Sequence, residues 1–265
     1  MRCCGEIPVL VDRVAIARMP RISRVNPKKY GCAVKPFKSI YQTASKRKGG
    51  PEALEKLLPE VHDQFLLSGR SDAWFLSAMT KRVFQAGFIW RVIEAKWPGF
   101  EEAFFQFDPA RLMALDEAEW DAYGRDERIV RNLQKVYALR HNVYYVNEIS
   151  AQYGGYGHFL EQWPLSDLVG LMVHLKKSGK RLGGMTGGFF LATVGKDCYF
   201  LTRDVIGCLR HEGLDIPDQP TGQKHLKAIQ EAFNQWHDES GRSYRHLSAI
   251  AAFSYGENRR GHDEA

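Results

Sequence analysis

The chain has 265 residues, 44% hydrophobic and 26% charged, a balance that gives one substantial domain or two small lobes with a real core and excludes a low-complexity polymer. No apolar run approaches the roughly 20 residues needed to cross a bilayer, and residues 1–24 lack the apolar core and small-residue cleavage site of a secretory leader, so a cytoplasmic protein without a membrane partner is expected. The formal charge of +6 is unevenly placed, because residues 1–50 hold 12 Lys and Arg against 2 Asp and Glu while the remainder is net acidic.

Residues 1–50 therefore read as a basic N-terminal arm. Such an arm either neutralises phosphates without regard to sequence or is a disordered, solvated tail. From Pro51 the texture becomes amphipathic, with Pro51 in a helix first turn and Leu54, Leu57 and Leu58 at helical spacing. Ser71 and Asp72 open the next helix as cap and first-turn acid. Its apolar stripe runs through Leu76, Met79, Val83, Ala86, Trp90 and Ile93, with Gly87 positioned to split it in two. Pro98-Gly99 is expected to stop this segment. A short helix is expected over 100–107, ended by Asp108-Pro109. The longest helix is expected over 129–152 and ends at Gly154-Gly155. Further helices are expected over 167–177, over 189–194 beyond a glycine-rich turn, from Thr202 onward, and over 223–239 and 243–255. Strand-like alternation is absent, so the fold class is all-α, with a helical domain over 51–256 and a flexible tail over 257–265. The five cysteines form no CxxC pair, which argues against a disulfide framework.

Four motifs occur in order. Gln85-Ala86-Gly87-Phe88-Ile89-Trp90 is followed by Phe104-Phe105-Gln106-Phe107-Asp108-Pro109. These two segments make the first motif; the second is Arg128-Ile129-Val130-Arg131 with Lys135, the third Leu175-Lys176-Lys177 with Gly179, Gly183 and Thr186, and the fourth Asp204-Val205-Ile206-Gly207-Cys208. Together they resemble the DNA-3-methyladenine glycosylase I family, over roughly residues 71–212. The resemblance implies the helix-hairpin-helix DNA glycosylase fold, two helical lobes around a central cleft. It also implies a monomer that hydrolyses the N-glycosidic bond of a damaged, 3-methyladenine-like purine in double-stranded DNA. The alternative is a non-catalytic helix-hairpin-helix protein that binds damaged or structured nucleic acid. A nucleoid-associated location follows from either.

The resemblance also suggests site residues. Trp90 matches the family's stacking tryptophan, with Phe84, Gln85 and Phe88 adjacent and Gln85 able to read a base edge. The family's base-reading glutamate falls on Arg82, which has only donors and repels a cationic base. In the hairpin, Gly183, Gly184 and Gly187 allow close backbone approach to DNA. Thr186 lies in the same turn, and a helix starting just after it would point free N–H groups outward, which suits a phosphate, with Lys180 and Arg181 adding charge. Asp204 stands where the wider superfamily has a catalytic aspartate; its other reading is a first-turn acid behind Thr202 as N-cap. Of the family's two-Cys, two-His zinc site only Cys208 remains, so neither metal nor cofactor is expected. The lysine of strand-nicking members falls on Gly188, so the enzyme is expected to be monofunctional.

Overall fold

The computed structural model describes residues 34–60 and 67–256, and in them every regular element is helical. In chain order the α-helices are α1 Phe37–Lys48, α2 Pro51–Glu55, α3 Asp72–Gln85, α4 Trp90–Ala103, α5 Pro109–Met113, α6 Glu117–Ala122 and α7 Leu133–Tyr153. They continue with α8 Tyr156–Gln162, α9 Leu168–Ser178, α10 Met185–Thr193, α11 Arg203–His211, α12 Gln223–Ser240 and α13 Tyr244–Tyr255. None of these helices is long and apolar enough to cross a membrane.

Two groups of helices form. In one, α3 packs on α4, α7, α8 and α10, and α7 also carries α5 and α6; in the other, α13 packs on α1, α11 and α12. Helix α9 touches both α10 and α12 and so ties the groups together. The expected caps are present where a side chain can supply them. The Ser71 side chain accepts from Trp74 N, and Thr202 Oγ1 accepts from Val205 N. Gly154 ends α7 in the left-handed region that glycine adopts without strain.

The basic arm is the largest departure from the sequence reading. Residues 1–33 and the tail over 257–265 lie outside the described residues, but 34–50 belong to the fold. Phe37, Ile40 and Ala44 recur at helical spacing and are buried, while Lys35, Lys38 and Lys46 stay in water. Phe37 N donates to Glu239 Oε2 at 2.6 Å, and Arg47 donates to the Gly256 carbonyl at 2.6 Å. The charge count concealed a short amphipathic helix whose apolar face has a partner about two hundred residues away.

Pro98-Gly99 does not stop α4, which runs on to Ala103. Burial overrides propensity here: Trp97 stacks on Phe100 at 5.0 Å and on Phe107 at 5.6 Å, and continuing the helix is what brings these rings together. The helix expected over 100–107 is accordingly split between α4 and a 3-10 turn at Phe105–Phe107, and Asp108 instead caps α5. Helix α7 starts at Leu133 rather than at 129, because Asn132 caps it and the Arg128 backbone is pressed against Gly99. A methyl group at Gly99 would overlap the Arg128 carbonyl. Gly99→Ala should therefore lower stability by about 1–3 kcal/mol, the scale of overpacking, although helix propensity alone favours alanine by about 1 kcal/mol. Urea denaturation measures the sign; a stabilised variant would show that α4 does not pack this closely.

Candidate active site

The end of α3 is shaped by a buried lysine. Lys135, in the first turn of α7 and only 4% exposed, donates from Nζ to the carbonyls of Phe84 at 2.9 Å and Ala86 at 2.7 Å. These carbonyls flank the point where α3 gives way to the turn, and Gly87, at φ +74°, completes the reversal. Burial pushes the Lys135 ammonium down to about 8, and the charge of Arg181 adds to the shift. Its charge also lies 4.2 Å from the centre of the Phe88 ring. The turn so held presents Phe88 and Ile89 to solvent and starts α4 at Trp90.

Trp90 meets Phe189 of α10 edge to face, with centroids 5.6 Å apart. Arg82, Gln85, Phe88, Trp90, Met185, Thr186 and Phe189 line one depression. It adjoins a second, where Arg82, Trp90 and Phe189 face Thr202, Val205, Arg245, Ser248 and Phe253 across the gap between the two helix groups. This is the expected central cleft. Phe84 takes no part in it: its ring is fully buried against Phe100 at 4.8 Å, a core position.

Arg82 is the polar centre of the cleft. Its Nε donates to Thr193 Oγ1 and its Nη1 to Gln85 Oε1, both at 2.8 Å. Its guanidinium carbon sits 5.2 Å from the Trp90 ring centre and 5.9 Å from that of Phe189. Gln85 Nε2 donates to Glu94 Oε1 at 2.8 Å, and the other Glu94 oxygen pairs with Lys81 at 2.6 Å. Both ends of the Gln85 amide are therefore engaged, so it orients Arg82 rather than standing free to read a base. Burial pushes the Arg82 guanidinium down from its usual range, and Glu94 opposes that shift. Phe189, Glu94 and Arg245 were missed in the sequence. Once the start of α10 is placed at Met185, Phe189 follows from its i+4 spacing on the same face.

The hairpin lies between α9 and α10, with α10 beginning at Met185, four residues before the position read from the sequence. Asn142, buried on α7, accepts from Lys180 N at 2.7 Å and donates to its carbonyl at 3.1 Å. Arg181 adopts a left-handed backbone and reaches Gln134 at 2.6 Å. Gly184 then turns at φ +59°, and no side chain caps α10, leaving its first N–H groups open. Gly187 packs so close to the Leu182 carbonyl that a methyl there would overlap it, whereas Gly183 lies against the Lys176 side chain. Lys180, Arg181, Gly184 and Met185 are exposed. Helix α10 thus carries the hairpin at one end and Phe189, in the cleft, one turn later.

Asp204 is not brought to Trp90. It occupies the first turn of α11 and lines a different depression with Arg203, Gly207, Arg210, Tyr255 and Gly256. Its neighbours Thr202 and Val205 take the cleft side of the helix. This is the geometry of a first-turn acid. Cys208 is buried beside Ser254 at 3.2 Å, and burial pushes its thiol up to about 11. Among the described residues lining the Trp90 cleft there is no carboxylate, and its charged side chains are Arg82 and Arg245.

Against known proteins, residues 62–172 match the family model for methyladenine glycosylase. No curated protein matches the chain. Among solved structures, 3-methyladenine DNA glycosylase I from Staphylococcus aureus, studied for its recognition of 3-methyladenine, is 22% identical with a TM-score of 0.43; the match covers 48% of this chain and 77% of that one. A 3-methyladenine DNA glycosylase I in complex with 3-methyladenine is 19% identical with a TM-score of 0.43, covering 58% of this chain and 91% of that one. The family match takes in Gln85, Trp90 and Lys135 and stops short of the hairpin. Over residues 62–172 the chain is similar to the methyladenine glycosylase family.

Proposed function

We propose that this chain is a monofunctional DNA glycosylase of base excision repair, hydrolysing the N-glycosidic bond of a damaged purine, with alkylated, 3-methyladenine-like bases the class its family implies. The observation that carries this reading is the family match over 62–172, whose Trp90 shares a cleft with the helix that follows the hairpin. An enzyme acting on a base must take it out of the stack and hold it against aromatic faces. Trp90, Phe189 and Met185 offer such a wall beside the open N–H groups of α10, which suit the neighbouring phosphate. A purine alkylated on a ring nitrogen leaves as a neutral molecule, so its departure needs little acid catalysis. No lysine lines the cleft among the described residues, in keeping with hydrolysis rather than strand nicking.

Purified protein should release free base from dimethyl sulfate-treated duplex DNA, followed by chromatography of the released bases. Trp90→Ala should slow release about 10–100-fold, the scale of one lost base–aromatic stack; unchanged rates would remove Trp90 from the pocket. Asp204→Asn separates the two readings of that residue. Because it faces away from Trp90, activity should stay within about threefold of wild type, whereas a loss of about a thousandfold, the scale of a lost group in the catalytic machinery, would restore Asp204 to the chemistry. Lys180→Ala should reduce the slope of log affinity against log salt by about 1 on any duplex sequence. An unchanged slope would place that lysine off the DNA.

A further inference from the structure

The charge of the cleft suits a different leaving group from the one its family implies. A cationic alkylated base departs neutral, and a positive neighbour only opposes its binding. A neutral purine departs as an anion, and a positive donor at its edge stabilises the charge that develops. The cleft holds Arg82 and Arg245 and, among the described residues, no carboxylate lines it. Arg82 already lies against the faces of Trp90 and Phe189, where a cationic base would seek its own cation–π contact.

Arg82 is also built to present donors. Thr193 takes its Nε–H and Gln85 one Nη1–H, and Gln85 is itself fixed by Glu94 and, through it, by Lys81. These contacts leave both Nη2 donors without an acceptor among the described residues. A planar fork of this kind matches the O6 and N7 acceptors of a 6-oxopurine and meets a donor at the 6-amino group of an adenine.

Building on the glycosylase reading, we propose that Arg82 extends the site to neutral 6-oxopurine bases, hypoxanthine-like in their acceptor edge. Arg82 would serve there as the residue that reads that edge and stabilises the departing base. The bond broken is N9–C1′, and its electron pair goes to the base, where charge spreads to O6 and N7 under the guanidinium. Water adds its oxygen to C1′ and gives a proton to solvent; the base anion takes a proton from solvent. Arg82 itself stays protonated throughout.

The test compares single-turnover base release from a duplex with one deoxyinosine and from a methylated duplex containing 3-methyladenine, for wild type, Arg82→Gln and Arg82→Glu. Thermal unfolding checks that each variant folds. Wild type should release hypoxanthine, and Arg82→Gln should lower the hypoxanthine-to-3-methyladenine rate ratio about 10–100-fold, the discrimination of one bidentate contact. Arg82→Glu should lower the ratio further and raise 3-methyladenine release. Release of 3-methyladenine alone by wild type would overturn this proposal and leave the glycosylase reading standing. Equal losses on both duplexes, with weaker binding to undamaged DNA, would assign Arg82 to a phosphate and also overturn it. No release from either duplex by the folded wild type would overturn the glycosylase reading and this proposal with it.

Discussion

Everything at the cleft depends on how Lys135 ends α3. Two backbone carbonyls at a helix terminus need donors, and one ammonium from α7 supplies both. This fixes where α3 stops, which way the turn through Gly87 leaves it, and therefore where Trp90 starts α4. The charge is buried at a cost, visible in the downward push on its titration. What makes the cost bearable is that the ammonium makes two charge-assisted hydrogen bonds where water is excluded. Asn142, two turns along the same helix, does the equivalent for the hairpin by gripping the backbone of Lys180. Helix α7 is thus a common jig for both halves of the site, and the distance between pocket and hairpin is set by the rise along one helix.

The polar side of the cleft reads as a set rather than as single residues. An arginine placed among aromatic rings needs acceptors to hold its plane, and Thr193 and the Gln85 oxygen provide them. Gln85 in turn needs its own orientation settled, which Glu94 does, while Lys81 balances that carboxylate. The positive charge at position 82 is therefore embedded in a chain of matched donors and acceptors that reaches to the surface. A side chain held this way keeps a defined direction, and direction is what separates reading a base edge from adding charge to a surface.

Much of this was legible beforehand, for physical reasons. Ser71, Thr202 and Gly154 announce helix ends because capping chemistry is local. Trp90 and Arg82 flank the Gln85-Ala86-Gly87 motif, so their nearness needed only the short turn that links α3 to α4. What stayed hidden depended on distant partners. Phe37, Ile40 and Ala44 look like stray apolar residues in a basic stretch until α13 is there to cover them. Pro98-Gly99 reads as a stop because the rings that reward continuation, Phe100 and Phe107, sit beyond it. Asp204 matches a superfamily position in sequence, yet one step of helix rotation decides which depression it lines. A pattern of residue types does not contain that rotation.

The packing of α1 against α12 and α13 also bears on how the molecule is made. The contacts of Phe37 with Glu239 and Trp236, and of Arg47 with Gly256, span about two hundred residues. Contacts of such separation form late, because a long loop must close before they return any energy. On the ribosome, α1 waits with its apolar face uncovered until α12 and α13 have been synthesised. The group of α3 to α8, whose contacts lie within one stretch of chain, is free to fold in the meantime. The far wall of the cleft is the last part to be built, so a nascent chain holds its aromatic wall before it has a cleft.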